Sequence, residues 1–582
     1  MTSSIQFELR EIPLSLSFAR QRREQLLSAA GLATDKADYA VGIYDTDDRL
    51  LATASLDGDT IKGVAVDESV RSEQLTPRMV TQILDYAARN GIGNPKVFTK
   101  PEYAPVFSAM GFTQVGLTDR AAMLEHSTTS LADYLAYLRS LPRQGHTGCI
   151  VMHANPLTLG HMHLIETASR LCDTLFVIPV ADNPAAEFTY HERHRMLAEA
   201  TKGIANVQIV DGSHYAVSRQ SFPSYFIKTL SDVTDTHISL DLDIFCRHIA
   251  PALDVRTRFV GDEPTDPLTA RYNELMHQIL PSKGIAVHQI ARLASAAGPI
   301  SASAVRQLLA SGNLNQALDI VPQASVPALL AHAAAKALSD ELATTPKPGL
   351  VDLENPGAHN DMDHLLMQKS IKALTPVFAD IARASMTEKM PQASTLVPIG
   401  LEGEQQMMQA TGGVNTHRGA LFSMGLAVAA AAWLKHHGKE ITRQQMRHTI
   451  KLISTGFTHA EKSNGAGVAR TYGVPTALDY ARRGFAEAFA TDLSQGPHKA
   501  LLWLMTKIED SNVYHRAGAR GALTVKTRAA ELLGAYTHEG MRQLDAELTR
   551  LGISPGGAAD MLALAMFIDS AAASDSRPHT DN

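Results

Sequence analysis

Two kinds of stretch in this chain could do chemistry. The first is Thr158-Leu159-Gly160-His161, which follows the apolar run 149–152 and precedes Leu164, Ile165, Ala168 and Leu171 at helical spacing. These residues sit where a buried strand ends and a helix begins, the usual ligand position of a parallel α/β sheet. Gly160 permits close approach of a phosphate to helix N–H groups, and His161 can donate a hydrogen bond to a phosphoryl oxygen as charge builds up. A second anion site is expected near Ser301-Ala302-Ser303-Ala304-Val305-Arg306, with Ser301 as helix cap and Arg306 one turn on. A lone Gly-His pair or a capped helix with an arginine is ordinarily structural. Together the two stretches favour phosphate binding.

The second kind is a set of polar loops between Ala-rich helices. They are Thr344-Thr345-Pro346-Lys347-Pro348-Gly349-Leu350-Val351-Asp352, then Asn355-Pro356-Gly357-Ala358-His359-Asn360-Asp361-Met362-Asp363. Gly403-Glu404 and Thr411-Gly412-Gly413-Val414-Asn415-Thr416-His417-Arg418-Gly419 follow, with Glu509-Asp510-Ser511-Asn512-Val513-Tyr514-His515-Arg516 and Ser554-Pro555-Gly556-Gly557-Ala558-Ala559-Asp560 last. Adjacent glycines beside Thr, Asn and Arg suit a phosphate nest. Each loop alone reads as a cap, but five in one helical region predict a shared polyphosphate pocket. Its carboxylates, Asp361, Asp363, Glu404 and Asp510, would carry Mg2+, a metal that takes oxygen ligands and bridges phosphates. Zinc is disfavoured, since His359, His417 and His515 lack cysteine partners or paired spacing.

The elements that must position these groups fall into three regions. At 582 residues about three to five domains are expected. Hydrophobic content of 45% and charged content of 19% describe a soluble globular protein. A net charge of -7 without a dense basic block argues against a nucleic-acid partner. Cys149, Cys172 and Cys246 lie apart in apolar runs and read as buried thiols of a reducing compartment. There is no signal-like core near the start, and the longest apolar run, 426–434, is too short for a membrane span, so a cytoplasmic location is expected. Residues 1–127 read as a small α/β domain with strands near 39–44, 50–55, 61–66 and 96–100, a helix from Met79 to about Gly91, and one last strand after Phe112. Residues 145–318 alternate strand and helix, with strands at 149–153, 174–180, 206–210, 237–244, 256–260 and 284–290. This predicts a doubly wound α/β domain with a mostly parallel sheet. After the Pro-bearing junction 321–327, residues 328–575 read as an all-α domain, with helices near 328–342, 364–386, 419–436, 443–455, 499–507, 524–534, 539–551 and 557–573.

On these residues the chain resembles known families. Residues 1–127 resemble an acetyltransferase domain, but Val70-Arg71-Ser72-Glu73-Gln74-Leu75-Thr76-Pro77 lacks the glycines of a pyrophosphate turn, which implies a degenerate domain. Thr158-x-Gly160-His161 and Ile300-Ser301-x-Ser303-x-x-Arg306 resemble the nucleotidyltransferase superfamily. With Asn155-Pro156, Phe222-Pro223-Ser224-Tyr225-Phe226-Ile227-Lys228, Ile249-Ala250-Pro251, Arg258-Phe259-Val260-Gly261-Asp262-Glu263-Pro264 and Tyr272-Asn273, nearly all of residues 1–315 resemble citrate lyase ligase. That resemblance implies activation of acetate by ATP and acetylation of the prosthetic thiol of the citrate lyase acyl carrier. The stretch Ala181-Asp182-Asn183-Pro184-Ala185-Ala186-Glu187-Phe188 departs from the family pattern.

The loops of the second half resemble triphosphoribosyl-dephospho-CoA synthase over roughly residues 328–570. The resemblance implies transfer of the triphosphoribosyl group of ATP to the 2'-hydroxyl of dephospho-CoA, with adenine released and Mg2+ on the phosphates. It would use Lys347 and Arg418 on phosphates, with Gly412, Gly413, Asn415, Asn512 and Arg516 lining the pocket, and Glu404 or Asp510 near the ribose as catalytic carboxylate. The chain is therefore expected to be a bifunctional enzyme of citrate lyase maturation. Two rivals are an adenylyltransferase of another cofactor pathway fused to an ATP-dependent transferase, and a citrate lyase scaffold with one inactive half.

Overall fold

The computed structural model describes residues 7–34, 36–127, 129–181, 186–216, 230–263, 266–295, 298–459 and 464–572. The chain divides into two compact units, Met1–Asn155 with Gly160–Pro299, and Pro156–Leu159 with Ile300–Asn582.

The first unit holds two main sheets. The N-terminal one has seven strands, β1 (Glu8–Glu11), β2 (Tyr39–Tyr44), β3 (Leu50–Asp57), β4 (Thr60–Val66), β5 (Lys96–Thr99), β6 (Thr113–Leu117) and β7 (Ala122–Glu125). Their order is β1-β2-β3-β4-β5-β7-β6, antiparallel except where β4 meets β5, so the sheet is mixed. The helix Leu75–Arg89 closes its core by burying Met79, Val80, Ile83 and Ala87, the i, i+4 stripe legible in the sequence. The segment after Phe112 forms a hairpin of two strands rather than the single strand expected.

The second sheet is fully parallel: β8 (Thr147–Met152), β9 (Thr174–Pro179), β10 (Val207–Ile209), β11 (Thr257–Gly261) and β12 (Ala286–Ile290), in the order β10-β9-β8-β11-β12. The chain winds outward from β8 to β10 and then returns to β11 on the other side. The order therefore reverses beside β8, which opens a crevice at the carboxyl ends of β8 and β11. The strand expected at 237–244 is instead the end of the helix Leu230–Ile244. Ile238, Leu240, Leu242 and Ile244 are all buried, which looks like a strand's alternation. On a helix, positions two apart lie on nearly opposite sides, so a helix enclosed on both flanks shows the same pattern. Leu240 and Ile244 press on Gly116 of β6, and Asp241 accepts a hydrogen bond from Tyr272.

Among its described residues the second unit contains helices and no strand. Val326–Ala343, Arg418–His436 and Gly556–Ala571 form its centre, and Ala427, Ala429, Ala430, Ala431 and Ala432 are fully buried. Alanine at these positions lets helices approach closely and costs no side-chain entropy. Helices Ala302–Ala310 and Leu314–Asp319 group with this unit, and Asp319 pairs with Lys435 at 2.7 Å. Residues Ala393–Ala410 form a helix where the sequence predicts a loop, because Pro398, Gly400 and Gly403 are loop-forming residue types. No helix of the described residues is long and apolar enough to cross a membrane.

Candidate active sites

In the first unit, Gly160 and His161 lie in the first turn of the helix Leu159–Ser169, at the carboxyl end of β8. Desolvation holds the His161 imidazole down at about pKa 4, helped by repulsion from the Arg292 guanidinium and from His153. His161 is thus a neutral N–H donor at physiological pH, suited to a developing phosphoryl charge without itself moving a proton. Arg292, just beyond β12, grips the nearly buried Glu263 beyond β11 through two hydrogen bonds of 2.9 and 2.7 Å. Asn155, also buried, accepts the Phe188 N–H at 3.0 Å. Arg292 carries no motif spacing and is invisible to sequence reasoning. The motif residues 222–228, and 182–185 of the divergent loop, lie outside the described residues.

Thr158, Ser301, Ser303 and Arg306 belong to the second unit. Thr158 is buried, and the neighbouring Leu157 carbonyl accepts a hydrogen bond from Ser325 at 2.9 Å. Ser301 caps the helix Ala302–Ala310 as expected, accepting the Ala304 N–H at 3.1 Å, and Arg306 donates to the Ser303 hydroxyl at 3.2 Å.

The polar loops of the second unit are bound to one another by buried groups. Asp352 accepts the N–H groups of Lys347, Glu354 and Asn355, while Asp545 accepts from the Gly349 N–H and the Asn355 amide at 2.8 and 3.0 Å. Lys347 is buried in an ion pair with Glu341, rather than offered to solvent as a free phosphate ligand. His359 meets Ser554 at 2.9 Å and Arg516 at 3.3 Å, and Arg516 also donates to the Ala358 carbonyl at 3.0 Å. Asp361, exposed, lies 3.7 Å from His359. Three loops therefore meet around His359.

Asp510 is buried and caps the helix Ser511–Gly534, accepting the Asn512 N–H at 2.9 Å. It also accepts the Ala558 N–H of the helix Gly556–Ala571 at 3.1 Å, and a Cβ on Gly557 would stand 3.0 Å from its carboxylate. It thus joins two helix starts, where a negative charge is favoured. Asn512 lies against Gly556. Asp560 has its ionisation strongly opposed by burial and by the charges of Asp510 and Glu341, and its carboxylate is packed on Gly419 so closely that a Cβ there would collide with it.

Glu404 lies on the helix Ala393–Ala410, not on a loop, and pairs with Arg418. Gly412 and Gly413 take φ of +65° and +92°, a left-handed pair that glycine adopts without strain. Asn415, two residues on, accepts the Arg418 N–H at 3.4 Å. His417 bonds Ser370 at 2.7 Å and is held neutral by burial and by Lys347, down to about pKa 3. Asp363 caps the helix His364–Ser385 through the Leu366 N–H at 2.8 Å. Among the described residues no three His, Cys, Asp or Glu side chains gather into a group that could hold a metal by themselves. The four carboxylates expected on Mg2+ are thus not assembled into a ligand cage.

A parallel sheet with its crevice at a reversal point, and a helical unit whose polar loops interlock, define two enzyme-like halves. Residues 147–329 match the family model of the citrate lyase ligase C-terminal domain, and residues 327–578 that of ATP:dephospho-CoA triphosphoribosyl transferase. The citrate (pro-3S)-lyase ligase of Klebsiella pneumoniae is 37% identical over 294 residues, spanning 50% of this chain and 86% of that protein. The 2-(5''-triphosphoribosyl)-3'-dephosphocoenzyme-A synthase of Klebsiella pneumoniae is 37% identical over 261 residues, 41% of this chain and 93% of that protein. The ligase of Escherichia coli K12 matches at 37% over 295 residues, 49% of this chain and 84% of that protein. A solved N-acyl amino acid synthase from uncultured soil microbes covers 21% of the chain and 91% of its own at 17% identity, with a TM-score of 0.18, which carries no argument about fold. The chain belongs to the citrate lyase ligase family through its first half and to the triphosphoribosyl-dephospho-CoA synthase family through its second.

Proposed function

We propose that this chain is a bifunctional enzyme of citrate lyase maturation in the cytoplasm. The observation that carries the reading is that each half matches most of the length of a separate enzyme of that task. The helical half would join C1 of the ATP ribose to the 2'-hydroxyl of dephospho-CoA. The C1–adenine bond breaks, adenine leaves with a proton, and the triphosphate stays intact. The other half would join acetate to the α-phosphate of ATP with loss of diphosphate, then pass the acetyl group to the thiol of the acyl carrier and release AMP. The N-terminal mixed sheet is read as an acetyltransferase-like domain without its own transfer activity.

In the first half Gly160 would admit the nucleotide phosphates, with neutral His161 donating to the phosphoryl oxygen. Thr158, Ser301, Ser303 and Arg306 are assigned to ATP on their motifs. In the second half, Gly412, Gly413, Asn415, Arg418, Asn512 and Arg516 would line the triphosphate, and Glu404 or Asp510 would face the ribose. Lys347 would act from within, by holding Glu341.

The residues fit Mg2+ in a limited way. Asp361 and Asp363 are exposed and Asp510 lies in the field of Asp560, so a cation would be welcome, and Mg2+ usually takes one or two carboxylates plus substrate phosphates. Asp361 and Asp363 would hold it, and the metal would neutralise triphosphate charge. ATP–diphosphate exchange dependent on acetate tests the first half; adenine release dependent on dephospho-CoA tests the second.

A further inference from the structure

The most completely enclosed cation among the described residues of the first unit takes no part in the chemistry above. Arg193 is 0% exposed and lies one turn into the helix Tyr190–Thr201, which Thr189 and Glu192 fix with a reciprocal capping box. No carboxylate pairs with it among the described residues. Its guanidinium is instead spent on backbone: Nη1 donates to the carbonyls of His153 at 2.7 Å and Val180 at 2.9 Å, and Nε donates to that of Phe188 at 3.1 Å. His153 follows β8 and Val180 follows β9, so one rigid side chain ties together two strand ends beside the crevice. Phe188 in turn donates its N–H to Asn155 Oδ1 at 3.0 Å, closing a ring of bonds around the turn that leads to Gly160 and His161. Burying an arginine without an acid is costly, and a fork of donors is what three converging carbonyls require.

We propose that Arg193 is the positioning residue of the nucleotide site in the ligase half: it sets the 153–155 turn, and through it the place of His161. This role rests on the reading that this half adenylylates acetate. Arg193 acts through the backbone and touches no reacting atom. Its sequence mark is Phe188-Thr189-x-x-Glu192-Arg193, a capping box followed by an arginine.

The test uses the full chain and acetate-dependent ATP–diphosphate exchange, with adenine release by the other half as internal control. Arg193→Met is expected to lower kcat about 10- to 100-fold with the KM for ATP changed less than about 3-fold, as displacement of a catalytic group does. Arg193→Lys, which keeps a donor, restores part of kcat. Because Arg193 works through His161, adding Arg193→Met to His161→Ala costs less than about 3-fold more, whereas independent effects would multiply. Full kcat in Arg193→Met, or losses that multiply on the His161→Ala background, overturns the role of Arg193 alone. Absence of exchange in the unaltered chain overturns the functional reading and this role with it. Adenine release unchanged in every variant places the effect in the ligase half, and its loss in step with exchange would make the change a general folding defect and overturn the proposal.

Discussion

Replacing Lys347 by methionine separates a structural lysine from a phosphate-binding one. Its side chain is 2% exposed and that of its partner Glu341 is 5% exposed. Removing one member of such a pair leaves the other charge buried, which typically costs about 3–5 kcal/mol. That is a large share of the roughly 5–15 kcal/mol that holds a folded domain. With a urea slope of about 3 kcal/mol per M, the helical unit's unfolding midpoint should fall by about 1–1.7 M. The pH dependence has a definite sign. Burial already raises the Glu341 pKa above its ordinary value and Lys347 opposes the rise, so loss of Lys347 raises it further. Between the ordinary glutamate pKa and the raised one of the folded state, the folded chain holds more protons than the unfolded chain, and stability falls as pH rises. The Lys347→Met deficit should therefore shrink toward pH 4.5, the ordinary glutamate value. Glu341→Leu together with Lys347→Met should recover most of the loss, since an apolar pair of similar volume replaces both charges. An unchanged midpoint with a raised KM for ATP would refute this reasoning and place the lysine on the triphosphate.

Other expectations follow from the two sites. His161→Ala should lower kcat for acetate-dependent ATP–diphosphate exchange about 100-fold or more, as loss of an oxyanion donor does, while adenine release persists; kinetics of both half-activities on one preparation decide this. Holding His417 at about pKa 3 against 6.5 makes its contribution to stability complete above pH 6.5 and lost progressively toward pH 3, since the unfolded state takes up the proton first. His417→Gln should flatten the urea midpoint of the helical unit against pH between about 7.5 and 5, and an unchanged slope would contradict the assignment.

Much of this architecture is legible because single-sided burial leaves a clean period. The stripe of Met79, Ile83 and Ala87 marks a helix, and the apolar run before His153 marks a central parallel strand. Where an element is covered on two sides the period misleads, as at 238–244. Proline and glycine in a packed helix mislead in the same way, hiding Ala393–Ala410 and placing Glu404 on a loop. The site motifs are visible as strings, but their partners are not: Glu341, Ser370 and Asp545 reach the loops from helices of their own, and only folding brings them there. Exposure is equally hidden, so Lys347 reads as a phosphate ligand in the sequence and is enclosed in the fold.

The helical half, as proposed above, transfers a ribosyl group rather than a phosphoryl or adenylyl group. The direct measurement is to incubate the purified full chain with ATP, Mg2+ and dephospho-CoA and resolve the products by mass. Free adenine and a dephospho-CoA adduct carrying ribose and three phosphates are expected, both absent in Asp361→Ala while acetate activation persists. AMP or ADP in place of adenine would contradict the account.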